Sequence, residues 1–430
     1  MSDNPKIFHG EWWVPAQANP HNQLFMTIPV GREKGHVGTL TYYEDKESTL
    51  ELYHVPSDFH LMLDGYNNVM WGVTANGVIF SLFNVVMEDE FKGDFTKTKF
   101  TVGLILVGEH LISMRKPHYE KCIVQFSYLR NWAFHDNLID TRDGNTHSHV
   151  LVDPGLDNRL IESQVEDEVK WVLRDRFYQN RSLYDLNISQ TTELLIETSK
   201  PVSIERFLNH IGEFCQFLSI ALYGEQSPTQ IKFANNARNA EMVLLYEVDK
   251  SVDPLNSKLI KFEKLKDKVP AILKVWHEYY DKIAPISSYL IESLQKKKTF
   301  NVPDFLIIAQ ALDGFHKRFM NKKNGKDHRK YEKQIEILLK QFKDVGVVQK
   351  CKIDPKVLCD TRNKYSHLYP DDEKSLAVDG DELYWLTEKC KILLTCCILN
   401  MMGLSNDEIN LCCEDSPISQ LIKAHSFEFE

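Results

Sequence analysis

The chain has 430 residues, of which 43% are hydrophobic, 11% aromatic and 26% charged, with a formal net charge of -10. This composition excludes a disordered, collagen-like or linker protein and leaves room for two or three domains of about 150 residues. Charge is unevenly placed: between Ser257 and Val345 stand 20 Lys plus Arg against 11 Asp plus Glu, an excess of +9, and the remainder carries -19. A basic stretch of that kind is either a surface that meets phosphates or a set of solvated helix faces.

Taken in chain order, Met1-Ser2-Asp3-Asn4-Pro5 lacks the basic-then-apolar pattern of a secretory signal, so a cytoplasmic protein is expected. Strands are predicted over His36 to Tyr43, Thr49 to Val55, Val69 to Thr74, Val78 to Val86, Phe100 to Val107 and Lys121 to Tyr128, runs rich in β-branched and aromatic residues. Asn76-Gly77 marks a hairpin with a type I′ turn, because both residues tolerate positive φ. An antiparallel sandwich or barrel-like sheet follows. At Ser203 the period changes, and Ile204, Phe207, Leu208, Ile211, Phe214, Cys215 and Leu218 recur at helical spacing. After a β-like segment at Glu241 to Glu247 the first domain closes, which gives 1–260 as a β-rich domain with a helix near 203–223 and 261–430 as a helical domain. The fold class is therefore α+β and multidomain.

In the second domain, helices are predicted over Val269 to Leu294, Pro303 to Asn321, Asp327 to Val345, from Pro355 onward, and over Asp381 to Met402. Asn324-Gly325 separates the second from the third, and Gly346 is placed as the residue that ends the third. The longest nearly apolar stretch, Ile392 to Leu404, spans 13 residues, short of the roughly 20 a membrane helix needs, so no membrane partner is expected. Nine cysteines without framework spacing suit free thiols in a reducing compartment. A zinc site from Cys390, Cys397, Cys412 and Cys413 is the alternative, but no C-x-x-C pair supports it, and no metal or cofactor is predicted.

The residues that carry chemistry lie between Asp354 and Pro370. Asp354 can cap a helix whose first residue is Pro355. With Leu358 at zero, Leu358, Thr361, Tyr365 and Leu368 fall in one packing stripe, while Arg362, Ser366, Asn363 and His367 fall at about 40°, 80°, 140° and 180°. The polar four stand off the core, which separates His367 from an ordinary buried histidine; a solvated surface is the other reading.

Arg362-Asn363-x-x-x-His367 matches the R-x4-6-H motif of HEPN domains, with the favoured polar residue after the arginine, and the helical layout from about residue 265 to 404 resembles the bundle of that family. The N-terminal half resembles the β-rich domain of ApeA-type proteins through Gly10-Glu11-Trp12-Trp13-Val14-Pro15, Gly38-Thr39-Leu40 and Trp71-Gly72 ahead of the Asn76-Gly77 turn. Asp313 stands in the second helix where a glutamate is expected. The resemblance implies an RNA endonuclease of anti-phage defence, working without a metal ion and as a homodimer or higher even oligomer that juxtaposes two motifs. Transfer RNA is one plausible substrate class.

The residues suit that chemistry. RNA supplies its own 2′-hydroxyl nucleophile, so the protein needs a proton carrier and a cation for the phosphorane. His367 fits the first task, because an unperturbed imidazole in general titrates at about 6.5, and the permanent forked charge of Arg362 fits the second. Asn363 can orient either group. Lys364, Lys317, Arg318, Lys322 and Lys323 are candidate RNA-backbone contacts. Trp12 and Trp13 are expected to be core or strand-edge anchors rather than a binding platform. The N-terminal domain is expected to sense a phage-derived trigger or to restrain the nuclease. Two other classes stay open: a non-catalytic nucleic-acid- or protein-binding adaptor, and a metal-dependent nuclease using Asp157, Glu168 and Lys170.

Overall fold

The computed structural model describes residues 5–15, 35–43, 47–55, 63, 68–92, 96–133, 138–143, 146–151, 158–181, 186–235, 239–243, 258–295, 302–320, 330–370 and 375–427. The first six strands are β1 (Lys6–Trp13), β2 (His36–Tyr42), β3 (Ser48–Tyr53), β4 (Met70–Thr74), β5 (Ile79–Lys92) and β6 (Thr96–Val107). They run in the order β6-β3-β2-β1-β4-β5, and β5 pairs back onto β6, so the sheet closes into an antiparallel barrel. Alternation drives this. Inward residues such as Leu40, Leu50, Leu52, Phe80, Leu82, Phe100 and Val102 are buried in one cluster, and closure removes the exposed strand edges that an open sheet would leave.

Three short motifs meet on one wall of the barrel. The register of β1 sets Gly10 opposite Gly38 and Trp12 opposite Gly72. Trp12 is fully buried, and a Cβ on Gly72 would lie 2.1 Å from its ring, so Gly72 is required because no side chain fits there. Trp13 meets His110 edge-on, Trp71 stacks on the same imidazole at 4.9 Å, and the Trp71 indole N–H donates to Leu111 O. These tryptophans anchor the barrel and the loop after β6. Gly72→Ala should therefore cost about 1–3 kcal/mol, as overpacked cores do. A urea midpoint unchanged from the parent would contradict this packing.

The expected hairpin joins β4 to β5, but its turn differs from the expected one. Gly77 has φ +82 whereas Asn76 does not have positive φ, and Gly77 N–H donates to Thr74 O. The loop is thus a tight turn centred on Ala75-Asn76 followed by a left-handed glycine, a longer hairpin connection than type I′. Thr74 Oγ1, which accepts from Val78 N–H and contacts Asn76 Oδ1, holds that geometry.

Beyond the barrel the strands β7 (Pro117–Phe126), β10 (Asn158–Glu166), β11 (Val169–Arg181), β12 (Leu186–Ser203), β13 (Pro228–Ala234) and β14 (Asn239–Val243) form an antiparallel sheet in the order β10-β11-β12-β7-β13-β14, joined to the barrel through β14 and β6. β8 (Leu138–Asp143) pairs with β9 (Thr146–Leu151). Helix α1 (Ile204–Ala221) starts where Ser203 Oγ accepts from Arg206 N–H. Its buried face, including Ile204, Phe207, Ile211, Phe214 and Leu218, packs on β7, β12 and β13.

The C-terminal half is helical: α2 (Val269–Gln295), α3 (Val302–Phe315) with a π-helical extension at His316–Met320, α4 (Tyr331–Gln341), α5 (Gly346–Cys351), α6 (Pro355–His367), α7 (Gly380–Met401), α8 (Asn406–Cys413) and α9 (Pro417–Phe427). Helix α7 is central and packs on α2, α3 and α5, while α2 also packs against β10 and α1. One apolar cluster runs from Trp171 and Phe214 through Trp276 to Leu393 and Cys397. Gly346 opens α5 instead of closing the preceding helix, because its N–H is taken by Asn410 Oδ1 at 2.9 Å. Asn324-Gly325 lies outside the described residues. All nine cysteines are free. Burial pushes the thiols of Cys215, Cys351 and Cys412 up to about 12, so they remain protonated packing groups. Among the described residues, the four cysteines weighed for zinc form no cluster of metal ligands.

Candidate active site

Helix α6 carries the motif. Asp354 Oδ1 accepts from the N–H groups of Lys356 and Val357, and Pro355 takes the first helical position, as the sequence predicts. Leu358 and Thr361 are buried, and Tyr365 is half-buried with its ring 6.5 Å from Phe305. The Thr361 hydroxyl donates to Val357 O and accepts from Val378 N–H; the Tyr365 hydroxyl donates to Val378 O. These bonds tie the segment before α7 along the packed face of α6 and leave the opposite face open.

Arg362, Asn363 and Lys364 are partly exposed, and Ser366 and His367 are exposed, which agrees with their expected place off the core. Leu368 departs from the helical wheel. The helix ends at His367, Leu368 adopts φ 52 as the left-handed cap, and its side chain is 85% exposed instead of packed. Tyr369, at 58% exposed, sits with its ring 5.3 Å from that of His367. An apolar pair therefore flanks the histidine.

The guanidinium of Arg362 lies over the Tyr331 ring, 5.5 Å from its centroid, and donates to Asn363 Oδ1 at 3.3 Å. Asn363 Nδ2 reaches Cys359 Sγ at 3.6 Å. Tyr331 is buried at the start of α4 and donates to Ala309 O at 3.1 Å. Burial holds its phenol well above the usual value, and the charges of Asp313 and Arg362 act on it in opposite directions. The arginine is thus seated by an aromatic platform and steered by its neighbour before any ligand arrives. Sequence reasoning did not find Tyr331, since a tyrosine in a basic helix carries no mark of the partner it will meet.

The other candidate residues fall elsewhere. Lys317 donates to Asp313 Oδ2 at 2.7 Å, one turn back on the same helix, and Arg318 donates to Lys282 O at 2.7 Å. Lys364 lies over its neighbour Tyr365, 5.7 Å from the ring. Lys322 and Lys323 lie outside the described residues, as does Asp157. Glu168 pairs with Lys200 and Lys170 with Glu162, so these two residues of the D…E-x-K pattern face separate partners.

A second polar cluster was not anticipated. Glu166 at the end of β10, His210 and Glu213 on α1, and His277 on α2 converge where the sheet meets the first long helix of the bundle. It is built from different elements than the R-x4-H motif.

Residues 7–276 match the family model for ApeA N-terminal domain 1, and residues 306–408, which contain Arg362 to His367, match that for Apea-like HEPN. No curated protein and no solved structure matches the chain. With most of its length covered by the first match and the whole motif by the second, the chain belongs to the ApeA family, a β-rich N-terminal region joined to a C-terminal HEPN domain.

Proposed function

We propose that this protein is a metal-independent endoribonuclease of abortive infection, cutting RNA with Arg362, Asn363 and His367 of two chains. Membership of the ApeA family with a HEPN domain supports a nuclease-type role in anti-phage defence. The observation that carries the finer reading is an exposed histidine on the same helix as an arginine that Tyr331 and Asn363 already hold in place. In the proposed reaction an imidazole takes the proton of the 2′-hydroxyl, whose oxygen attacks phosphorus. An imidazolium then gives a proton to the departing 5′-oxygen, leaving a 2′,3′-cyclic phosphate and a 5′-hydroxyl. Arg362 offsets the charge of the phosphorane.

Five residues of helix turn Arg362 and His367 about 140° apart, so one chain aims them in different directions. A second copy across a two-fold axis brings a further motif to the same phosphate and supplies the second histidine that acid and base roles need. Exposed Leu368 and Tyr369 beside His367 offer that copy an apolar contact. The half spanning 261–430 would then be catalytic. The half spanning 1–260 would restrain it until a phage-derived trigger arrives, since an unrestrained ribonuclease poisons its host.

The test uses the full chain on a structured RNA, such as a transfer RNA, and on DNA of the same sequence, both in chelator. Expected are cleavage of RNA alone, cyclic-phosphate ends, and activity that tracks the dimer. Binding should fall with salt at about 0.7 log units per log unit for each phosphate contact to a single strand. Equal cleavage of DNA, a need for added metal, or RNA bound but never cut would overturn the reading, the last in favour of an adaptor.

A further inference from the structure

The cluster of Glu166, His210, Glu213 and His277 has the chemistry of a metal centre. One ligand atom from each of Glu166, His210 and His277 lies within 4.8 Å of the other two. Glu166 Oε1 is 3.3 Å from His277 Nε2 and 3.6 Å from His210 Nε2. Ligands around a tetrahedral zinc with bonds of about 2.1 Å stand about 3.4 Å apart, so these two edges already have the right length.

The surrounding groups prepare the ligands. His277 Nδ1–H donates to Glu213 Oε2 at 2.6 Å, which directs Nε2 towards Glu166. A carboxylate behind a histidine in this way is the usual support of a metal-bound imidazole, fixing its tautomer and raising its basicity. Arg206 Nη2 holds Glu166 Oε2 at 2.5 Å, leaving Oε1 to face the histidines. His210 is 3% exposed; its Nδ1 has no hydrogen-bond partner among the described residues, and its Nε2 is too far from Glu166 for a hydrogen bond. A buried imidazole left so poorly satisfied is costly unless something else engages it. The Trp171 ring closes one side, with centroids 5.9 and 6.0 Å from His210 and His277.

Charge points the same way. Glu166, Glu213 and nearby Asp281 are offset among these groups by Arg206 when both histidines are neutral, an imbalance that a divalent cation removes. We infer that Glu166 Oε1, His210 Nε2 and His277 Nε2 bind a zinc-type divalent transition-metal ion, with Glu213 as the positioning residue behind His277, and that the ion clamps β10, α1 and α2 together. Three protein ligands leave a fourth position for water or a further ligand. Burial keeps His210 below the usual imidazole value and favours its ligating neutral form, whereas Glu213 raises His277. A ligating imidazole must be neutral, so metal binding weakens as pH falls. The site is built from other elements than the one that carries His367, and its existence does not depend on RNA cleavage.

The full chain, stripped with chelator, is titrated with cobalt(II), whose tetrahedral complexes absorb in the visible, and then with zinc(II) in competition. One cobalt per chain, displaced by zinc, is expected, together with a rise in melting temperature on loading. Both signals should be lost in His210→Ala and His277→Ala. If those variants fail to fold, Glu213→Gln decides: all three ligands remain, and zinc affinity should fall about 10–100-fold. Absence of the visible bands with no zinc retained, or an unchanged affinity in folded histidine variants or in Glu213→Gln, overturns the site.

Discussion

Replacing His367 by alanine should lower RNA cleavage by about 10²–10⁴-fold, the range that a positioned proton carrier supplies, and leave the fold as it is. The imidazole is exposed in the last turn of α6 and contacts only the Tyr369 ring among described ring partners. Surface changes of that kind shift stability by within about 0.5 kcal/mol, so the variant should melt with the parent. Arg362→Ala should lose cleavage as well, at a stability cost of about 0.5–1 kcal/mol for the contact with Tyr331. Arg362→Lys keeps the charge but not the planar fork, so it should recover little. In chelator, with cyclic-phosphate ends as the readout, retained activity in His367→Ala would remove the proposed mechanism. A melting point far below the parent would instead show that the histidine holds the fold.

Lys391→Met should have the opposite signature, a loss of stability of about 3–5 kcal/mol, because it breaks a buried ion network by removing one partner. Lys391 is 2% exposed on α7; its Nζ is 2.7 Å from Glu388 Oε1, 3.4 Å from Asp304 Oδ2 on α3, and 3.3 Å from Ser293 O on α2. One cation thus joins three helices of the bundle. Without it Asp304 and Glu388 lose the cation they share in the low-dielectric interior of the bundle. A triple variant, Lys391→Met with Asp304→Leu and Glu388→Met, removes the stranded charges and should regain most of the stability. A denaturant midpoint for Lys391→Met within error of the parent would show that the network contributes nothing, and a triple variant no better than the single one would reduce the effect to packing.

Several features were legible in the sequence because their causes are local. Asp354-Pro355 starts α6 since a cap and a ring-fixed φ act within one turn, and Ser203 starts α1 in the same way. The hairpin at Asn76-Gly77 forms because the glycine supplies positive φ beside two alternating runs. The two-residue and 3.6-residue periods divided a β-rich half from a helical one and put Arg362 and His367 off the core. The period states which face is buried, however, and not what covers it. β1 and β8 to β13 were missed: β12 mixes Thr, Glu and Ser among its apolar residues, and it is held between its hairpin partner β11 and β7, which lies far earlier in the chain. β5 and β6 form a local hairpin, but barrel closure also needs β3 to meet the other edge of β6, a pairing that no local window contains. The Trp12 motif is visible in sequence, but its purpose appears only when Gly72 is brought under the ring. In the same way Tyr331 under Arg362, Asn410 on Gly346, and Glu166 beside His210 and His277 are decided by tertiary structure alone, because these residues lie far apart along the chain and only the packing of helix on helix and of sheet against helix brings them within reach.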